Sequence, residues 1–389
     1  MIYLDNAATT PLHPKARAAM LPYLTEIFAN PSSAYTPARQ VRKAIDEARQ
    51  TIAQAISANA NEIYFTAGGT ESDNWAILGA LEASKKGKHI ITSAVEHPGI
   101  FHLCEHLQKN GYDVTFLPVD EKGFVSPQAL EGVIRPDTCL VSVMLANNEV
   151  GTIQPLAEIS KITRKHGILL HTDAVQAVGH MPVSVDELGV DLLTLSAHKF
   201  YGPKGIGALY IRKGTAIAPL FYGGMQERGR RAGTENTIGI IGMAAALQAA
   251  LEEMPTEQKR LTILRDKLIH DIQTLIPHTK LNGATGDKRL TGNVNISFRF
   301  IEGESLLLHL DMNGCAASTG SACSSGSLEP SHVLMAMGLE HGMANGALRF
   351  SLGRMNTEED ITRLMAILEP AVARLRAMSP LYDDYMGAQ

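Results

Sequence analysis

Lys199 ends an apolar run, Leu192-Leu193-Thr194-Leu195-Ser196-Ala197-His198, that reads as a buried strand with a polar tip. Burial disfavours an ammonium, and a neutral amine can form a Schiff base with an aldehyde cofactor. Asp173 likewise ends the apolar run Ile168-Leu169-Leu170-His171-Thr172. A carboxylate there can pair with a protonated ring nitrogen, with Gln176 one turn further on. Ala67-Gly68-Gly69-Thr70 joins a short strand (62–66) to a helix that opens near Glu71. Glycines and free helix N–H groups of this kind cradle phosphate, and Thr70 and Ser72 can add hydroxyls. His97, in Glu96-His97-Pro98, follows the strand 89–95 and can stack on a ring or carry protons. Asn147, Asn148 and Glu149 end a further apolar run that begins at Cys139. Each part alone also fits a plainer role: a surface lysine, a turn aspartate, a strand–turn–helix or a loop histidine. Together, amine, ring-nitrogen acid, phosphate cradle and ring cap are the parts of a pyridoxal phosphate (PLP) site.

The elements that must position these residues alternate. From Ile63 to Ile211, strand-like runs exchange with helical ones, such as 155–166 with Leu156, Ile159 and Ile162 on one face. That pattern predicts an α/β fold with a mainly parallel sheet covered by helices. Val41, Ile45, Ala48, Ile52 and Ile56 mark an amphipathic helix over 38–57. A small-residue helix over 238–251 leads into a segment, 252–258, that reads as a hinge to a second domain. Beyond it the sequence predicts a helix (259–275), a strand (293–298), a helix (304–312) and an alternating strand around Arg349. A final helix opens on a capping box at Thr357-Glu358-Glu359-Asp360. The organisation expected is a large PLP-binding domain over 16–257 and a smaller α+β domain from 1–15 and 258–389.

Gly68-Gly69-Thr70-Glu71-Ser72, Glu96-His97, Asn147-Asn148-Glu149-Val150-Gly151, Asp173-Ala174-Val175-Gln176 and Ser196-Ala197-His198-Lys199 occur in that order. This ordered set resembles the cysteine desulfurases of the class V aminotransferase group. The resemblance runs from Tyr3-Leu4-Asp5-Asn6-Ala7-Ala8-Thr9-Thr10 to Arg349-Phe350-Ser351-Leu352-Gly353-Arg354. It implies the PLP-dependent transferase fold type I, with the N-terminal arm packed on the small domain. It implies cofactor contacts from Gly69, Thr70, His97, Asn148, Asp173, Gln176, Ser196, His198 and Lys199. Arg349, with Asn148, would bind the substrate carboxylate; the fork of an arginine suits that bidentate bond, and Arg354 is the second candidate.

Ser318-Thr319-Gly320-Ser321-Ala322-Cys323-Ser324-Ser325-Gly326-Ser327 is small and polar and predicts a loop, about 318–330, that presents a reactive thiol. The resemblance makes Cys323 the nucleophile that takes sulfur from L-cysteine as a persulfide, leaving L-alanine. Lys199 would take the Cα proton, His97 would shuttle protons, and an acceptor protein, such as an iron–sulfur scaffold, would receive the sulfur. Loop length matches the branch serving iron–sulfur cluster assembly. Thr234, in Gly233-Thr234-Glu235-Asn236, would reach the cofactor phosphate of a neighbouring subunit, which implies a homodimer with shared active sites. Two departures from the family pattern, Tyr35 and Leu145, bear on entrance contacts.

Composition sets the outer limits. The chain has 389 residues, a formal net charge of -5 and 45% hydrophobic residues, which suits a globular enzyme and offers no basic excess for nucleic acid. The Arg228-Gly229-Arg230-Arg231 run is a solvated loop or a local basic patch. No apolar stretch is read as a membrane span, and Met1-Ile2-Tyr3-Leu4-Asp5 carries no leader pattern, so the expected location is cytoplasmic. Cys104, Cys139 and Cys315 read as small buried hydrophobes, and no zinc spacing occurs, so no metal is expected. The rival readings are a selenocysteine lyase or another class V PLP enzyme, a β-elimination lyase, and a non-enzymatic scaffold that docks sulfur acceptors.

Overall fold

The computed structural model describes residues 1–319 and 330–387. Its centre is a seven-stranded sheet in the order β2 (Ile63–Thr66), β8 (Gly207–Ile211), β7 (Leu192–Ser196), β6 (Leu169–Asp173), β5 (Thr138–Ser142), β3 (His89–Ser93), β4 (Asp113–Leu117). β3, β4, β5, β6 and β7 are parallel, and β8 runs antiparallel to both β7 and β2. The reversal has a local cause. The Tyr201–Gly207 turn connects β7 to β8 directly, whereas parallel neighbours need a crossover helix. Every residue of β2, β3, β5, β7 and β8 is buried, as expected for a sheet covered on both faces.

Hydrophobic cores lie on each face. One holds Trp75, Ile77, Ile90 and Leu140. The other holds Val41, Ile45, Ile52, Val141, Leu170 and Leu247. The helix Thr36–Ala55 forms as its periodicity predicts, with Val41, Ile45, Ala48 and Ile52 buried along one side. It packs against the helix Thr237–Leu275.

That long helix corrects the hinge. It runs 39 residues without a break through 252–258, with Pro255 inside it. Proline removes one intrahelical hydrogen bond, but both ends are held by packing. Met243, Leu247 and Ala250 enter the large core, while Leu261, Leu264, Leu268 and Ile272 enter a second one. Among the described residues this helix alone is long and apolar enough to cross a membrane by length and composition, and 56% of its apolar 18-residue stretch is buried within the protein. It is accounted for as the core helix that joins the two halves.

The second core belongs to a four-stranded antiparallel sheet, β12 (Ser318–Thr319), β13 (Ala347–Ser351), β10 (Asn293–Phe298) and β9 (Thr279–Leu281). Helices Gly303–Met312 and Glu358–Arg376 cover it. The Thr357 capping box is formed in both directions: Asp360 N–H donates to Thr357 Oγ1 at 3.3 Å, and Thr357 N–H donates to Asp360 Oδ2 at 3.0 Å. β1 (Ile2–Tyr3) pairs in parallel with β11 (Cys315–Ala316), and Ile2 and Leu4 join the same core as Phe298, Phe350 and Leu364. The N-terminal arm is thereby sewn to the C-terminal part of the chain.

Candidate active site

The sheet gathers the polar strand ends into one cleft of about 210 Å³. Ser196, His198 and Lys199 arrive from the end of β7, Asp173 and Gln176 from the end of β6, and Asn148 from the segment after β5. His97 comes from beyond β3, and Gly69 and Thr70 from the first turn of the helix Gly69–Ala83 that follows β2. Arg349 enters from β13 of the smaller sheet. The cleft therefore lies at the carboxyl ends of the parallel strands, where open α/β sheets bind ligands. Two expected site residues are not among those that line it. Thr234 is exposed and does not line this cleft, and Cys323 lies outside the described residues.

Backbone from the N-terminal arm closes one wall. Lys199 Nζ donates to Ala7 O at 2.6 Å and to Ala8 O at 2.8 Å. Gln176 Nε2 donates to the same Ala7 carbonyl at 3.0 Å. His198 Nδ1 pairs with Thr9 Oγ1 at 3.1 Å. His97 caps the helix Pro98–Lys109, its Nδ1 accepting from Gly99 N–H at 3.1 Å. Burial, then the nearby Lys199 charge, pushes the His97 pKa down to about 4, so the ring is neutral and its proton sits on Nε2. His198 is lowered to about 4 by the same two causes in the same order.

The acids behave in the opposite sense. Burial raises the pKa of Asp173, while the Val175 N–H donated at 2.8 Å and the Lys199 charge oppose the rise. Asp73 lines the same cleft and is raised further, by burial and then by the charge of Asp173. A charge on Asp173 disfavours a second charge on Asp73. Asp73 escaped the sequence reading because its position in Glu71-Ser72-Asp73 marks only the acidic start of a helix. His171, fully buried, links Ser142 Oγ (2.8 Å) and Thr194 Oγ1 (3.1 Å) and lies 3.7 Å from Asp73 Oδ1.

Several expectations change. Ser72 does not face the cleft; its hydroxyl pairs with Thr66 Oγ1 at 2.7 Å inside the protein. Leu145 is buried in the large core, and its N–H donates to Asp173 O at 2.8 Å, so it bears on no entrance. Tyr35 is 54% exposed, immediately before the helix Thr36–Ala55. Asn147 is a turn builder, its Oδ1 accepting from the N–H groups of Glu149 (2.9 Å) and Val150 (2.8 Å). Arg354 pairs with Glu253 at 3.2 Å, away from the cleft. The basic run is held within the chain: Arg231 pairs with Glu71 at 2.8 Å, and Arg228 donates to Ile63 O at 2.7 Å. Cys104, Cys139 and Cys315, by contrast, are all buried as expected.

These residues fit PLP. A 15-residue helix points its N-terminus at the cleft from a Gly-Gly turn, and that turn has no room to spare: a Cβ on Gly207 would stand 2.8 Å from Gly68 Cα. A lysine amine, a buried acid and a neutral imidazole face one volume, and the buried Arg349 Nε and Asp73 Oδ1 have no hydrogen-bond partner among the described residues.

Comparison with known proteins agrees. The aminotransferase class-V family model matches residues 2–364. The chain is 55% identical over 385 residues to the cysteine desulfurase IscS of Dictyoglomus turgidum, covering 99% of this chain and 98% of that one. A solved NifS-like protein superposes with a TM-score of 0.90 at 37% identity, covering 96% of this chain and 100% of the other. A structure described as SspA in complex with cysteine superposes with a TM-score of 0.80, also at 37% identity, over 90% of this chain and 99% of that one. With the cleft, the strand-end residues and these likenesses in agreement, the chain belongs to the class-V aminotransferase family of PLP-dependent enzymes.

Proposed function

We propose that this protein is a cysteine desulfurase that converts L-cysteine to L-alanine and passes the sulfur, as a persulfide on Cys323, to an acceptor protein, with iron–sulfur cluster assembly as the recipient process. The observation that carries the reading is the convergence of Lys199, Asp173, His97 and Arg349 on one cleft. Relatives at 55% identity named as cysteine desulfurases support the choice of substrate, as does the neighbour described in complex with cysteine.

Bound PLP supplies an electron sink for the substrate Cα. The chain supplies the rest. Arg349 holds the carboxylate, with Asn148 beside it. Lys199 would hold the cofactor and, as a free amine, would take the Cα proton; the Ala7 and Ala8 carbonyls accept from that amine. Asp173 would keep the ring nitrogen protonated. His97, neutral with its proton on Nε2, would cap the ring and move protons. Gly69, Thr70, Ser196 and His198 would hold the phosphate. Cys323 Sγ attacks the substrate sulfur: a sulfur–sulfur bond forms, the carbon–sulfur bond breaks, and the carbon is protonated to give alanine. Cysteine and a thiol thus become alanine and a persulfide.

The protein works as a homodimer in the cytoplasm. Thr234 would reach the partner's cofactor phosphate, a reading supported by its exposure outside its own cleft.

The test is product analysis of the PLP-loaded protein with L-cysteine and a reductant, beside a Cys323→Ala control. Alanine and sulfide in equal amounts, both lost in the control, are expected. Pyruvate and ammonia, or activity that survives in the control, would overturn the persulfide route.

A further inference from the structure

Arg349 does not reach the cleft as a free arm. It is 2% exposed, and two acceptors from distant segments hold its guanidinium. Asn148 O accepts from Nη1 at 3.0 Å, and Asp5 Oδ1 accepts from Nη2 at 2.9 Å. Contacts on both terminal nitrogens fix the plane of the group. Its Nε is buried and has no partner among the described residues. A buried N–H left unmatched is costly, and a carboxylate arriving in the cleft would satisfy it.

Asp5 is itself held by backbone. It forms a parallel bridge with Ser351, two positions beyond Arg349 on β13, and Tyr3 Oη donates to its carbonyl at 3.1 Å. The next residues continue the wall: Asn6 N–H donates to Ser351 O at 3.2 Å, and the carbonyls of Ala7 and Ala8 receive Lys199. One short arm therefore touches both the arginine and the lysine of the site.

We propose that Asp5 is a positioning residue for substrate recognition: from the N-terminal arm it orients Arg349 so that the unmatched edge of the guanidinium receives the carboxylate of L-cysteine. The inference rests on the assignment of Arg349 to that carboxylate. Asp5 occupies one terminal nitrogen and leaves Nε open, so it braces the fork and does not fill it. Because orientation serves bound substrate and transition state alike, the effect falls on binding and leaves turnover at saturation nearly unchanged.

The experiment compares wild type, Asp5→Ala, Asp5→Asn and Arg349→Gln, each loaded with PLP and checked for cofactor content. KM and kcat for L-cysteine are measured, together with the Kd for L-alanine read from the visible spectrum. Asp5→Ala is expected to raise KM and the alanine Kd about tenfold, the size of one charge-assisted hydrogen bond, with kcat within about twofold. Asp5→Asn, which keeps an acceptor oxygen, is expected to recover most of the loss. If Arg349→Gln weakens both ligands and Asp5→Ala does not, the role of Asp5 is overturned while the carboxylate site stands. A lower KM in Asp5→Ala would mean that Asp5 competes with substrate, which also overturns it. If Arg349→Gln changes neither constant, the carboxylate assignment itself fails, and the inference with it.

Discussion

Glu96 offers a prediction whose size follows from its surroundings. It is fully buried beside His97, near Asp73 and Asp173. Its Oε1 accepts from Ser93 Oγ at 2.5 Å and from Met144 N–H at 3.0 Å, while Oε2 has no partner among the described residues. Burial pushes its pKa from 4.5 up to about 8; the two hydrogen bonds oppose the rise, and the Asp173 charge adds to it. Between those two values the unfolded chain has released the proton and the folded protein keeps it. The unfolded state then binds fewer protons, so stability falls as pH rises through this window. At about 1.4 kcal/mol per pH unit, a window of that width costs about 5 kcal/mol once pH exceeds 8. Glu96→Gln cannot ionise and resembles the neutral acid. It is expected to match wild type within about 1 kcal/mol at pH 5 and to exceed it by about 3–5 kcal/mol at pH 8.5. The assay is thermal unfolding of both proteins, saturated with PLP, from pH 5 to 9. The gap in Tm between variant and wild type should open steadily above pH 5. Parallel curves would refute the reasoning, because they would mean that Glu96 ionises inside the fold as easily as outside it. The same argument makes Glu96 a neutral acid near neutral pH, which leaves Asp173 as the acid proposed to meet the ring nitrogen.

Three further outcomes are expected. Lys199→Ala should lose the visible absorbance of the lysine-bound cofactor and at least about 10²-fold in turnover of L-cysteine, since it removes both the anchor and the base; full turnover in this variant would contradict the site. Gly207→Ala places a Cβ 2.7 Å from Leu195 O and 2.8 Å from Gly68 Cα, and should lower stability by about 1–3 kcal/mol and weaken PLP binding, measured by unfolding and by equilibrium dialysis. In a Cys323→Ala protein, iodoacetamide at pH 8 should label Cys104, Cys139 and Cys315 only after unfolding, because all three are buried and the Cys104 thiol is pushed up to about 12; fast labelling of the native variant, read by mass spectrometry, would show an open core.

Much of this molecule is legible in one dimension. Strand ends announce themselves because an apolar run must stop where the sheet meets a polar cleft, and Lys199, Asp173 and Asn148 each follow such a run. The buried stripe Val41, Ile45, Ala48, Ile52 is equally plain, since a helix repeats its inward face every 3.6 residues. The segment 252–258 has the composition of a hinge but is helical for a physical reason: proline and charge weaken a helix locally, but packing of both halves against separate cores outweighs one missing hydrogen bond.

Residue type and spacing determined the α/β class, the cofactor chemistry and most of the polar side chains that meet in the cleft. Only the tertiary structure decided what those side chains touch. Ser72 turns inward to Thr66, Asp73 shares a volume with Asp173, and Asp5 braces Arg349 across 344 residues of chain. Periodicity records which side of its own helix or strand a residue faces. It carries nothing about a partner brought near by the packing of another element, and the charge state of every acid and histidine in this cleft is set by such partners and by the burial they create.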